Sequence, residues 1–146
     1  MRIRSFGDLT LAVAESVAYD DARLELDPTL LTELDTRREA MLVALGSGGP
    51  VYGATTGAGY LSTQKIDTEG ERAHSANLLL GRAVGSAPFM PREEARMLMV
   101  AKLVSLVSGH AGVSSGLCSF VVDRLNDDFT PAVPRTAVGS AGEVIA

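Results

Sequence analysis

Cysteine occurs once among 146 residues, at Cys118, and histidine only twice, at His74 and His110. A lone cysteine makes no internal disulfide, and the scattered histidines leave no Cys/His cluster at metal-ligand spacing, so disulfide and zinc scaffolds are excluded. Basic runs are scarce as well: none exceeds Arg37-Arg38, and 18 acidic against 13 basic residues give a net charge of −5. Without a positive footprint, nucleic acid is not an expected partner. No apolar run approaches the ~18 residues of a membrane span, and Met1-Arg2-Ile3-Arg4 does not lead into the apolar stretch of a secretory signal. A cytoplasmic protein without a membrane partner is expected. What the chain does have is apolar content, 46% of its residues, which is enough for one core and predicts one domain.

The pattern is mainly helical. Asp27 suits a helix N-cap and Pro28 the first helical position, after which Leu30, Leu31, Leu34, Met41, Leu42 and Leu45 recur at three- and four-residue steps until Gly46. The turn-rich Gly46-Ser47-Gly48-Gly49-Pro50 follows, and 51–60 are too rich in glycine and β-branched residues for a helix, so they read as a glycine-rich loop. Further helices are predicted over about 68–80 and 91–108. The second of these is apolar on nearly every side, through Leu98, Ala101, Leu103, Val104, Leu106 and Val107, which predicts burial all round. Ser114 or Ser115 should cap a fourth helix ending near Asn126, and Thr130-Pro131-Ala132-Val133-Pro134 should be extended. Gly142-Glu143-Val144-Ile145-Ala146 reads as the opening of a helix, and the expectation is that additional protein completes the core.

Local chemistry is sparse. Gly112-Val113-Ser114-Ser115-Gly116 fits the Gly-x-Ser-x-Gly pattern, but a nucleophile elbow needs a strand before its serine, and here a helix precedes it. An interhelical turn with a serine cap is the better reading. Gly53, Gly57 and Gly59 follow neither the dinucleotide nor the P-loop spacing. Glu93-Glu94 and Asp127-Asp128 are helix neighbours pointing about 100° apart, and they read as solvated faces.

Four ordered segments carry a resemblance. Val51-Tyr52-Gly53-Ala54-Thr55-Thr56-Gly57-Ala58-Gly59 is similar to a Tyr-Gly-x-(Asn/Thr)-Thr-Gly-Phe-Gly loop, and Asn77-Leu78-Leu79 to the start of Asn-Leu-Leu-Arg-Ser-His. Ser105 to Val113 is similar to Leu-Ala-x-Gly-His-Ser-Gly-Val, and Val138-Gly139-Ser140-Ala141-Gly142-Glu143 to Val-Gly-Ala-Ser-Gly-Asp. Together they resemble the amino-terminal portion of the aromatic amino acid lyases, which include histidine, phenylalanine and tyrosine ammonia-lyases and related aminomutases. The resemblance implies, for residues 1–146, the amino-terminal part of a helical ammonia-lyase-like fold that lacks the central bundle and carboxy-terminal region. It also implies a tetrameric assembly with sites shared between subunits.

In such lyases an Ala-Ser-Gly tripeptide cyclises and loses water to give an electrophilic 4-methylideneimidazol-5-one, while a loop tyrosine removes a β-proton. The resemblance places Tyr52 at the base position and Gly59, Asn77 and Arg82 around the substrate. A tyrosine base working near neutrality needs its pKa lowered from about 10, which nearby positive charge favours and a dry pocket opposes. Arg82 is the residue available for that, or for gripping a carboxylate. The tripeptide here is Ser140-Ala141-Gly142, whose central side chain has no hydroxyl to eliminate, so no methylideneimidazolone is expected. Ala58, Leu80-Gly81-Arg82 and Val104 also depart from the family pattern. The expected function is the amino-terminal subunit of a split lyase-like enzyme. A second polypeptide would supply the remaining bundle in a hetero-oligomer, and Tyr52 would assist an elimination, addition or cyclisation of a small-molecule substrate. The alternatives are a non-catalytic interaction or regulatory subunit and a truncated remnant.

Overall fold

The computed structural model describes residues 1–52, 54–57, 63, 73, 76, 77, 80 and 85–135. Among them run β1 (Arg2–Ile3), a 3-10 turn (Phe6–Asp8), α1 (Leu11–Tyr19), β2 (Glu25–Leu26), α2 (Pro28–Ser47), α3 (Arg92–Val107) and α4 (Ser115–Asn126). Ala73, Ala76, Asn77 and Leu80 are helical, inside the span predicted over 68–80, whose other residues lie outside the described ones. The chain divides into two compact units, one of 1–42 with 90–133 and one holding the described residues of 43–89 with Pro134 and Arg135. No helix among the described residues is long and apolar enough to cross a membrane.

Helix α2 begins where its cap residues place it. The Asp27 carboxylate accepts from the Thr29 amide at 2.9 Å and the Thr29 hydroxyl at 2.6 Å, satisfying a donor that the first turn leaves unpaired. Arg2 pairs with the other Asp27 oxygen at 2.9 Å, and β1 lies parallel to β2 with Arg2 opposite Glu25 and Ile3 opposite Leu26. Leu24 and Leu26 are buried. The Asn126 side chain exchanges two hydrogen bonds with the Leu24 backbone, at 2.9 and 2.8 Å, so the end of α4 holds the start of β2.

The first unit packs α1 and α4 against α3, around Ile3, Val17, Val100, Leu103 and Cys118, each at most 1% exposed. Full burial of each larger apolar side chain contributes roughly 1.5–3 kcal/mol. Burial raises the Cys118 thiol pKa, and the Asp35 carboxylate adds to the rise; the residue acts as core filling.

Arg96 is also in this core, 1% exposed. Its guanidinium donates to the Val17 carbonyl of α1 at 2.9 and 3.2 Å and to the Leu125 carbonyl of α4 at 3.2 Å. These carbonyls belong to the last turns of two helices, where partial negative charge collects, so one cation serves both ends. Above it Arg92 pairs with Asp21 and Asp128, which also stand 3.6 Å from Arg96. Both aspartates take left-handed backbone, φ 54° and 59°, just beyond the ends of α1 and α4. Aspartate tolerates that region better than most residues. Asp127 pairs with Arg124 at 2.7 Å. The two adjacent aspartates are therefore exposed yet paired, not simply solvated.

The structure corrects the expected burial of α3. Ala95, Arg96, Val100, Leu103, Leu106 and Val107 face inward, whereas Leu98 stays 47% exposed and Ala101 is exposed. Two neighbouring helices cover one face and leave the other open.

In the second unit, Pro134 bridges Phe89 in an antiparallel pair and the Arg135 amide donates to the Pro88 carbonyl at 2.8 Å. Residues 130–134 are non-helical, consistent with the proline spacing.

Candidate functional site

Tyr52 sits in a short hydrogen-bonded turn. The amides of Ala54 and Thr55 donate to the Val51 carbonyl at 3.1 and 3.0 Å, and the Val51 amide donates to the Thr55 hydroxyl at 2.9 Å. Thr56, 2% exposed, anchors the segment, its hydroxyl donating to the Gly57 carbonyl at 3.1 Å. Tyr52 itself is 67% exposed. The two threonines of the loop motif thus shape the turn that displays the tyrosine.

Asn77 is helical and exposed, in the same compact unit as Tyr52. Gly53, Gly59, Arg82 and the tripeptide Ser140, Ala141 and Gly142 lie outside the described residues. Among the described residues no group of His, Cys, Asp and Glu is placed to hold a metal ion.

The turn between α3 and α4 belongs to the first unit. Gly109 and Gly112 have φ of 80° and 61°, a region that strains other residues, and α2 side chains close over both. A Cβ on Gly109 would lie 2.7 Å from the Arg37 Cδ. Arg38 donates to the Gly112 carbonyl at 2.7 Å, and Asp35 accepts from the Ser115 amide at 2.8 Å and its hydroxyl at 2.7 Å. His110 is exposed. Asp35 and Arg38 hold this turn in a way that the sequence did not disclose, because Ser115 lies 80 positions from Asp35 and no local pattern links them.

Ser114 is the α4 N-cap, its hydroxyl accepting from the Leu117 amide at 3.3 Å, which agrees with a capped turn in place of a nucleophile elbow. Ser114→Ala is expected to destabilise the protein by about 1 kcal/mol in urea unfolding, and Ser114→Asp to retain most of that stability, since either oxygen can cap.

Three carboxyls stand below the ordinary aspartate range: Asp35 through its bonds from Ser115, Asp27 through its bonds from Thr29, and Asp21 through its bond from Arg92. Their folded pKa values are depressed. The stability they add is present above the unfolded value near 3.9 and is lost as pH falls through the folded value, because the unfolded chain then binds more protons. The melting temperature is expected to fall steeply below about pH 4. Asp35→Asn should flatten that dependence in scans between pH 5 and 2; an unchanged slope would show that Asp35 does not contribute.

A family profile described as aromatic amino acid lyase matches residues 9–146. The chain belongs to the aromatic amino acid lyase family. Among its relatives, the histidine ammonia-lyase of Burkholderia vietnamiensis is 32% identical over 139 residues, covering 94% of this chain and 27% of that protein. The histidine ammonia-lyase of Burkholderia multivorans is also 32% identical over 139 residues, with 28% of its length covered. Among solved structures, the ergothionase of Treponema denticola superimposes with a TM-score of 0.83 at 26% identity, over 94% of this chain and 28% of the other. The tyrosine aminomutase of Streptomyces globisporus gives 0.81 at 27% identity, over 90% and 24%. The chain therefore spans about a quarter of the length of the lyase-family proteins it matches, and its helical fold is that of the corresponding segment.

Proposed function

We propose that this chain is the amino-terminal component of an ammonia-lyase-like enzyme that operates in the cytoplasm as a hetero-oligomer, with a second polypeptide supplying the remaining helical bundle. Tyr52 assists an elimination, addition or cyclisation of a small-molecule substrate. The observation that carries this reading is the outward display of Tyr52 by the Val51–Thr56 turn, in a chain that matches the lyase profile but covers only about a quarter of its relatives. The Tyr52 phenol takes a proton from the substrate or returns one to a leaving group, according to its protonation state. Arg82, through its planar fork, suits a substrate carboxylate, while Asn77 and Gly59 complete the substrate contacts.

The tripeptide does not fit a methylideneimidazolone. Ser140-Ala141-Gly142 has a methyl group where the family's reaction expels a hydroxyl, so the proposed reaction proceeds without that group. The intact mass of the purified chain should equal that of its unmodified sequence; a deficit corresponding to lost water would overturn this part of the proposal.

Ala141 favours a second reading, a regulatory or interaction subunit derived from a lyase. Product formation separates the two. Turnover of a substrate mixture by the heteromer, absent from either polypeptide alone, is the outcome expected for an enzyme component. A partner that is fully active without this chain would favour the regulatory role.

A further inference from the structure

Where the 3-10 turn meets α2 and the end of α3, the chain forms a hollow of about 150 Å³ whose lining belongs wholly to the first unit. Leu30, Leu34 and Val107 line it from the core side, each at most 4% exposed, and Phe6 lines it as an exposed ring. An apolar space of that volume admits one benzene-sized ring. Two arginines flank it. Arg4 makes no ion pair among the described residues. Arg37 directs Nε and Nη2 at one Glu33 oxygen, at 3.0 and 2.6 Å, and its Nη1 makes no hydrogen bond among the described residues. Gly109, at φ 80°, lets that guanidinium lie against the backbone, since a Cβ there would be 3.0 Å from Nη1. Arg4 and Arg37 set against Glu33 leave a single positive charge in excess.

We propose that this hollow binds a small monocarboxylate whose apolar body is a single planar ring. Arg4 and the Arg37 Nη1 hold the carboxylate, for which a guanidinium is the matching donor, and the ring lies against Leu30, Leu34 and the Phe6 side chain. The charge excess favours one anionic group over two. Glu33 does not block the site, because its pair with Arg37 is about half exposed on both sides and such a pair contributes little. A bound ligand ties together three segments far apart in sequence, the 3-10 turn, α2 and Ser108-Gly109, and so stabilises the first unit by mass action. No residue of the Tyr52 turn lines the hollow, so binding here is measured without turnover.

The test titrates sodium benzoate into the purified chain and follows backbone amide shifts by isotope-edited NMR, with calorimetry for affinity. Saturable shifts at Phe6, Ser108 and Gly109 are expected, with a dissociation constant on the order of 1 mM, within what so small a ligand reaches. Arg4→Gln should weaken binding about tenfold, the effect of one charge-assisted hydrogen bond. Glu33→Gln should tighten it about threefold, because the amide oxygen still accepts from Arg37 while the competing negative charge is gone. Damage to the fold would not improve affinity. Arg124→Gln, on α4 and outside the lining, should change nothing. Acetate, which lacks the ring, and benzylamine, which reverses the charge, should each bind at least about tenfold more weakly than benzoate. Acetate equal to benzoate would overturn the ring's place in the hollow, and benzylamine equal to benzoate would overturn the role of the arginines. Shifts that leave Phe6, Ser108 and Gly109 unmoved, or an Arg4→Gln affinity equal to the parent's, would overturn the site.

Discussion

Replacing Tyr52 with phenylalanine is expected to lower the turnover of the assembled enzyme by about 10²- to 10⁴-fold, the range lost with a positioned acid–base group. The variant removes one oxygen and keeps the ring. Tyr52 is 67% exposed, and the bonds that Val51 and Thr56 make in its turn are untouched by the variant. A positioning defect would look different. Thr56→Val, which removes the buried hydroxyl bonded to the Gly57 carbonyl, should lower both activity and the stability of the turn, because it leaves a polar group without its partner. Product measured by mass spectrometry from a substrate mixture, with parent and variant heteromers side by side, decides the matter. Full turnover by Tyr52→Phe would remove the tyrosine from the chemistry.

Arg96→Met should produce the largest loss of stability in the protein, about 3–5 kcal/mol. Methionine fills a similar space, so a cavity is not the main cause. The loss arises because the Val17 carbonyl, which accepts from the guanidinium at 2.9 and 3.2 Å, would lose both of those bonds, and the Leu125 carbonyl would be left with the Asp128 amide at 3.3 Å. Asp21 and Asp128 would also lose the more distant of the two cations beside them, Arg92 remaining. Arg96→Lys should recover only part of the loss, since an ammonium lacks the planar fork that reaches both carbonyls. Arg92→Met, at a partly exposed position, should have a much smaller effect. Midpoints of urea unfolding compared at constant slope would measure all three. An Arg96→Met midpoint close to that of the parent would mean that the two helix ends do not depend on the shared cation.

Boundaries written in local chemistry were legible. Asp27 and Pro28 announced α2, which runs one residue past Gly46 to Ser47. The starts of α3 and α4 fell at Arg92 and Ser115, where Pro91 and the pair Ser114-Ser115 indicated them, and the structure selects Ser114 as the cap. Helix α1 is less legible although its signals are present: Thr10 caps it, and Ala14, Val17 and Ala18 repeat at helical steps. No glycine or proline brackets that stretch to draw the eye. The pair β1 and β2, two residues each, is too short to show alternation.

The sequence by itself determined the family, because a loop motif such as Val51 to Gly57 is contiguous and its meaning survives without a fold. It also determined that the centre of the tripeptide is an alanine. Only the tertiary structure decided that Arg96 is a core residue and that α3 keeps an apolar face open to solvent. The partners of Arg96 lie 79 and 29 positions away, and no periodicity shows which helices will cover a given face. Burial of a charge is settled by acceptors that folding brings from elsewhere in the chain.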